Sequence, residues 1–421
     1  MILTQQYLQD HSCADLRREH AVGATLSACR RKASLNYNMI EARDDDPVAC
    51  QCRGLVIAKA DGTEIDPAAP LGDTLVLARP PDRFFNFGQG AAAPIDFTAP
   101  STVFMEKRDG TAAILHHDPF QQQWHVATRS VPEADRPVDG FAEYTFRTLF
   151  EKCLLDTLVA GGALPPPDAS GDEAARAREA YHRFCGRLDP EVTHFLEITS
   201  PVNHLVVDYR DFRVTLLALR VTATGEELDP YVHPVPGVPT VRLYRLGSVA
   251  DMLAFVNARS GLEFEGVVVR DARFRRVKVK NADYLARHAL IGGLVGSPRA
   301  LLAVILRGQD DDVLPMLPPH LREKGEAYRQ RYREMVRRYD DAYPRLLAET
   351  QGDANPRKAM ALAVQREGLR VAPMMVRWSG KCEDFEGFVM SNQKDGAWPD
   401  SFLDGLLQTA GIGPEAPEET R

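Results

Sequence analysis

No stretch of the 421 residues is apolar over the length needed to span a bilayer, and the first ten carry no basic flank ahead of an apolar run. Those two absences predict a soluble, intracellular, cytoplasmic protein. A positive balance is missing as well: 51 Lys and Arg stand against 59 Asp and Glu, a formal net charge of -8. A nucleic-acid partner therefore has to be argued from local clusters and not from the field of the whole chain. Metal-binding cysteine pairs are lacking too. The seven cysteines are scattered, and Cys50 and Cys52 have neither a second pair nor nearby histidines, which argues against a zinc site and for reduced thiols. No internal repeat of 20 to 50 residues is found.

What is present is an ordinary globular composition. Hydrophobic residues make up 44% of the chain, enough for a sizeable core, and the length predicts two domains. Short β-branched or apolar runs bounded by Gly, Asp or Pro predict strands at 103–105, 112–115, 124–128, 212–219, 266–269 and 276–280. Helices are expected at 141–159, at 172–184 and, capped by Ser248, at 249–258. The 161–171 segment, with Pro165, Pro166 and Pro167 in a row, reads as an exposed linker or insertion. Beyond about 286 helical periodicity takes over, at 299–306, 321–347 and 357–367. The boundary is placed where Gly292, Gly293 and Gly296 cluster, dividing 1–288, with its N-terminal extension, from a helical 289–421. Residues 414–421 read as a frayed end.

The most informative element is Glu106-Lys107-Arg108-Asp109-Gly110-Thr111, directly after a predicted strand. A lysine that acts as a nucleophile must be deprotonated, so cationic neighbours or a metal have to favour the neutral amine. Asp109 is placed to orient that amine, and Gly110 permits a tight turn close to a bound nucleotide. Taken alone, Lys-x-Asp-Gly also describes a solvated turn between strands.

Downstream, Arg276-Val277-Lys278-Val279-Lys280 alternates at the period of a strand, which puts three cations on one face. Like charges in a row repel unless an anion sits among them, and a triphosphate is such an anion. An amphipathic edge strand with a wet face has the same pattern. Glu197 and Glu265 each stand among apolar strand residues, where a buried carboxylate needs a cation, a metal or a ribose hydroxyl. Each is individually a weak signal; the order lysine, glutamate, glutamate, paired lysines is not.

That order resembles the covalent nucleotidyltransferase superfamily, and its details resemble the RNA ligase 1 family of phage T4 type. Lys107 to Gly110 match the nucleophile motif. Leu196-Glu197-Ile198-Thr199-Ser200-Pro201-Val202-Asn203-His204-Leu205-Val206 resembles the third motif, Glu265 to Val268 the fourth and Lys278-Val279-Lys280-Asn281-Ala282-Asp283-Tyr284-Leu285 the fifth. Upstream, Cys52-Arg53-Gly54 and Arg79-Pro80-Pro81-Asp82-Arg83-Phe84-Phe85-Asn86 resemble two further family elements. The match covers about 50 to 285. Arg83 stands where the family usually has lysine, and His204 where an arginine is common. Phe385 to Val389 repeats the fourth motif with no Lys-x-Lys strand after it, and is treated as a decoy. His116 and His117, just past a predicted strand end, read as surface residues.

The resemblance implies an α+β fold: an ATP-grasp-like nucleotidyltransferase domain of antiparallel sheets with flanking helices, followed by a helical domain. It implies ligation in three phosphoryl transfers, with ATP and Mg2+ or Mn2+ as cofactors and RNA bearing 5′-phosphate and 3′-hydroxyl ends as partner. Catalysis is assigned to Lys107, Asp109, Glu265, Lys278 and Lys280; ATP binding to Glu106, Arg53, Arg83, Gly110, Glu197 and Arg276; the metal to Asp109, Glu265 and Glu197. DNA ligases and capping enzymes follow the catalytic domain with a strand-rich barrel, so a helical tail favours RNA. In that tail Tyr328, Tyr332, Met335, Tyr339 and Tyr343 recur at helical spacing beside arginines, a pattern that serves RNA stacking or, more simply, helix packing. Another covalent nucleotidyltransferase, or a non-catalytic RNA-binding protein on a ligase scaffold, are the competing readings. The sequence leaves open whether the RNA is a broken tRNA, another nick or free single-stranded ends.

Overall fold

Strands interspersed with a few helices make up the first 287 residues of the computed structural model, which describes residues 1–412 except 40, 139–140, 167–171, 204–205, 292–296, 315–318 and 395. The expectations for His204, for the three boundary glycines, for the end of the Pro-rich segment and for the C-terminal residues lie outside that set. The chain forms two units, Met1–Arg287 and His288–Arg421.

Among the described residues the first unit holds all the strands. In chain order they are β1 (Val22–Leu26), β2 (Lys32–Tyr37), β3 (Arg53–Lys59), β4 (Thr74–Ala78), β5 (Phe85–Asn86), β6 (Val103–Lys107), β7 (Thr111–Asp118) and β8 (Gln123–Ala127). Then come β9 (Pro137–Val138), β10 (Phe141–Thr145), β11 (Val192–Thr199), β12 (Arg213–Val221), β13 (Glu227–Leu228), β14 (Leu243–Tyr244), β15 (Gly266–Arg270) and β16 (Arg276–Lys280). They form an N-terminal sheet in the order β1-β2-β3-β4, a central sheet β13-β12-β11-β7-β8 and a lysine sheet β14-β6-β15-β16-β5, with β9 and β10 as a separate pair. Every ladder is antiparallel except that of β5 with β16.

The central sheet is covered on both faces, and its strands read as nearly continuous apolar runs for that reason. On one side Leu115, Leu196, Ile198 and Leu216 pack under the helices Phe146–Ala160 and Glu173–Cys185. On the other, Ile114, Phe195 and Ala218 meet Val56, Ala58, Leu77 and Ala78 of the N-terminal sheet. A polar tether joins the same two sheets: buried Lys32 lies 2.6 Å from Glu133 and 3.2 Å from Asp118. The lysine sheet buries Phe104, Val267, Val269, Val277 and Val279 against Met252 and Val256 of the helix Val249–Asn257. Ser248 caps that helix as expected, its hydroxyl accepting from the Asp251 N–H at 3.0 Å.

Two expectations are corrected. The helix anticipated from 141 begins only at Phe146, because Thr145 is extended and accepts from the Thr148 N–H as an N-cap, while Phe141–Thr145 pairs with Pro137–Val138. His116 is a strand residue of β7, not a surface one; it is buried, which pushes its imidazole down to about 3. His117 is half-buried.

The second unit is helical among the described residues apart from one isolated bridge, Lys394 with Ala397. Its long helix Pro319–Thr350 buries Tyr328, Tyr332, Met335 and Tyr339, so this stripe packs the unit's interior instead of presenting rings to a strand of RNA. The repeated Phe-Glu-Gly-Phe-Val lies in the helix Phe385–Met390, which is why it has no strand partner. No described helix is long and apolar enough to cross a membrane.

Candidate active site

The lysine sheet places its cations by register. Lys107, Gly266 and Lys280 stand side by side on β6, β15 and β16; two residues along come Met105, Val268 and Lys278, and two further Val103, Arg270 and Arg276. Alternate strand residues share a face, so Lys107, Lys278, Lys280, Arg270 and Arg276 gather on one side, opposite the valines of the core. Gly266 cannot carry a side chain there: a Cβ would fall 2.1 Å from the Val279 carbonyl oxygen.

Glu265 closes this row. Its Oε1 lies 2.7 Å from Lys107 Nζ and 3.2 Å from Lys280 Nζ. Its Oε2 is buried without a hydrogen-bond partner. From the central sheet Glu197 joins the same group. Burial pushes its carboxyl up to about 8; Lys107 opposes that rise and the charge of Glu265 adds to it. Arg53 on β3 stacks over Phe84 at 5.0 Å and Phe195 at 5.2 Å, with Nη1 shielded from water and unpartnered. Burial and then the neighbouring Arg129 weaken its hold on its proton, and Glu197 strengthens it. Three sheets therefore converge on one ring of charges.

Asp109 is turned away from that ring. Its Oδ2 accepts from the N–H groups of Val206 and Val207, both at 2.9 Å, and its Oδ1 from the Tyr284 hydroxyl at 2.8 Å. Through these three hydrogen bonds the carboxylate anchors the turn after Lys107. Gly110 is closely approached by β11: a Cβ there would meet the Ile198 carbonyl oxygen at 2.1 Å. Gly110→Ala is accordingly expected to destabilise the first unit by about 1–3 kcal/mol, read as a lowered thermal midpoint; an unchanged midpoint would contradict the close approach. The Ser200-Pro201-Val202-Asn203 turn grips the same point through Asn203, whose Nδ2 donates to Thr111 Oγ1 at 3.2 Å.

Three further residues assigned to ATP have partners within the protein. Glu106 projects to the face opposite Lys107 and pairs with Arg108 at 2.9 Å. Arg83 donates to Asp44 at 2.7 Å and lies over the rings of Tyr37 and Phe85. Arg276 forks onto both oxygens of Glu227. Glu227, and Tyr209, whose hydroxyl accepts from the Asp109 N–H at 3.2 Å, are partners of this site outside the sequence motifs. Tyr284 was legible in part, four residues beyond Lys280 on the helix Ala282–Ile291; Glu227 had no local signal.

No group of three or more His, Cys, Asp or Glu able to hold a metal occurs among the described residues. A divalent ion held by one or two carboxylates together with phosphate oxygens and water fits the orphaned Glu265 oxygen beside Glu197.

No protein-family model matches the chain. It is 28% identical over 309 residues to a protein of Autographa californica nuclear polyhedrosis virus named "Putative bifunctional polynucleotide kinase/RNA ligase", covering 70% of this chain. The match spans only 38% of that viral protein's length. RNA ligase 1 of Bacteriophage TS2126 is 26% identical over 366 residues, covering 85% of this chain and 78% of that one. A solved structure, of an archaeal ATP-dependent RNA ligase, aligns at 14% identity over 87% of this chain and 91% of that chain, with a TM-score of 0.39. By sequence the chain is thus a relative of proteins named RNA ligases.

Proposed function

We propose that this chain is an ATP-dependent RNA ligase whose nucleophile is Lys107. The observation that carries the reading is the contact of Lys107 Nζ with Glu265 Oε1 at 2.7 Å, inside a cluster of Lys280, Glu197 and Arg53. An amine so placed gives up its proton toward Glu265 and attacks the α-phosphate of ATP. A nitrogen–phosphorus bond forms, the bond to the β-phosphate oxygen breaks, and pyrophosphate leaves. A 5′-phosphate oxygen of RNA then attacks the lysyl-bound phosphorus and releases the amine. Last, a 3′-hydroxyl attacks the activated 5′-phosphate, and AMP departs as the strand closes.

In this scheme Lys280 and Lys278 stabilise charge on the α-phosphate. Arg53 serves the outer phosphates and Glu197 the ribose hydroxyls. Asp109 becomes a positioning residue for Lys107, and Arg276 and Arg83 act through their acidic partners. Mg2+ or Mn2+, with Glu265 and Glu197 as its protein carboxylates, supplies neutralisation of phosphate oxygens. A cytoplasmic role in RNA repair, with broken tRNA as one candidate substrate, belongs to the same proposal. The helical second unit supports RNA over DNA.

The substrate is tested by chasing AMP-labelled protein with 5′-phosphorylated RNA or DNA carrying 3′-hydroxyl ends. Transfer and joining with RNA, and little with DNA, is the expected result. Labelling from GTP instead of ATP, or joining confined to DNA, would select a capping-type or DNA-ligase reading.

A further inference from the structure

The hairpin that carries Lys278 and Lys280 is held at its far end by two ion pairs, remote from Lys107. Arg276 forks onto Glu227, and Arg270, its cross-strand neighbour, donates to Asp229 Oδ2 at 2.7 Å. Both acids belong to the other sheet's side of the cleft: Glu227 lies on edge strand β13 and Asp229 just after it. Arg276, Glu227 and Arg270 are well shielded, at 7%, 11% and 5% exposure, and Asp229 is partly exposed at 33%.

The turn between β15 and β16 is shaped to serve these two arginines. Phe274 holds a left-handed conformation, φ 60°, which is costly for a residue with a large side chain. In return its ring covers the Arg270 guanidinium at 4.7 Å, and its carbonyl accepts from Arg276 Nη1 at 2.9 Å. Asp271 secures the turn, accepting from the N–H groups of Arg273 and Arg275 at 3.0 and 2.9 Å. Arg276 is also close enough to Arg53 for its charge to be felt there. Two ion pairs thus tie the lysine sheet to the central sheet at the end of β15 and β16 remote from Lys107, while at the other end Lys107 and Glu265 are near enough for their charges to act on Glu197.

We propose that Glu227 and Asp229 are positioning residues: by clamping the β15–β16 hairpin to the central sheet they set the separation at which the lysine row faces Glu197 and Arg53. This rests on the ligase reading for its activity assay but not for its structural one. Carboxylates whose partners are buried arginines are costly to remove singly, because the arginine is left charged without a partner. A reacting group displaced by a fraction of an ångström in turn loses rate and affinity steeply.

The test uses the full chain with Glu227→Gln, Asp229→Asn and the exchange of charges in the double variant Glu227→Arg/Arg276→Glu. Covalent AMP transfer is followed across ATP concentrations, alongside hydrogen exchange of the β15 and β16 amides. Glu227→Gln is expected to raise the KM for ATP on the order of tenfold, to leave the final AMP stoichiometry intact at saturating ATP, and to speed exchange in β16. The double variant is expected to recover most of both. Where Glu227→Gln does not fold, Asp229→Asn is expected to show the same pattern more weakly. A folded single variant with wild-type KM and wild-type exchange would overturn the clamp, as would a double variant no better than the single ones. If the wild-type protein takes no AMP, the ligase reading fails by itself. The clamp then stands or falls on the exchange rates alone: faster in Glu227→Gln supports it, equal rates overturn it.

Discussion

Replacing Glu265 by glutamine is expected to slow the formation of the AMP adduct by about two to three orders of magnitude, while the protein remains folded. The carboxylate is the shared partner of Lys107 and Lys280, at 2.7 and 3.2 Å from one oxygen. An amide of the same shape keeps the packing but removes the charge between two ammonium groups, and it offers a poor acceptor for the proton that the nucleophile must lose. The first step should therefore suffer most. Joining of RNA supplied already activated at its 5′ end, which bypasses that step, should fall less, and the comparison of the two rates in one preparation provides the measurement. Equal losses in both would show that Glu265 serves the fold or the last step and not the nucleophile.

The second large effect concerns pH. Glu197 is buried, and its carboxyl is raised to about 8 in the protein without nucleotide. An acid whose proton is held more tightly in the folded chain than in the unfolded one favours folding at low pH. That advantage is whole below the unfolded value of about 4.3 and is lost progressively as pH rises toward about 8. Each tenfold difference in proton affinity is worth about 1.4 kcal/mol, so the total runs to several kcal/mol. Glu197→Gln has no such proton to lose. The melting temperature of the wild type should thus fall relative to that of Glu197→Gln between pH 5 and 8, then run parallel above it. Profiles that stay parallel throughout would place the carboxyl in a better-solvated setting than the geometry describes.

Which parts of this were legible in the sequence follows from how far apart the interacting residues lie along the chain. The alternation of Arg276, Lys278 and Lys280 with valines is a local pattern, and β16 carries it unchanged, cations on one face and apolar residues on the core. Ser248 at its helix start is likewise local. At 141–145 Phe-Ala-Glu-Tyr-Thr suits helix or strand, and its pairing with Pro137–Val138 decides between them. The N-terminal sheet has little local signal, since β1 gains its place by pairing with β2, and β2 by pairing with β3.

Residue roles divide in the same way. Lys107, Glu265, Lys280 and Glu197 were named from motif order, and the sheets bring them together. Asp109 was named for its nearness to Lys107 in sequence, yet its oxygens are claimed by Val206, Val207 and Tyr284, about 100 and 175 residues on. Arg276 shares the cationic face, but Glu227 neutralises it from 49 residues away. Spacing along a strand reveals which face a side chain takes; it does not reveal which partner reaches that face from another sheet.

The most direct measurement is the intact mass of the purified protein after incubation with ATP and Mg2+, followed by peptide mapping of any adduct. The account predicts a gain of one AMP, on the peptide that contains Lys107, and no gain for Lys107→Ala. A wild-type protein that stays unmodified, or AMP found on a different residue, would contradict it.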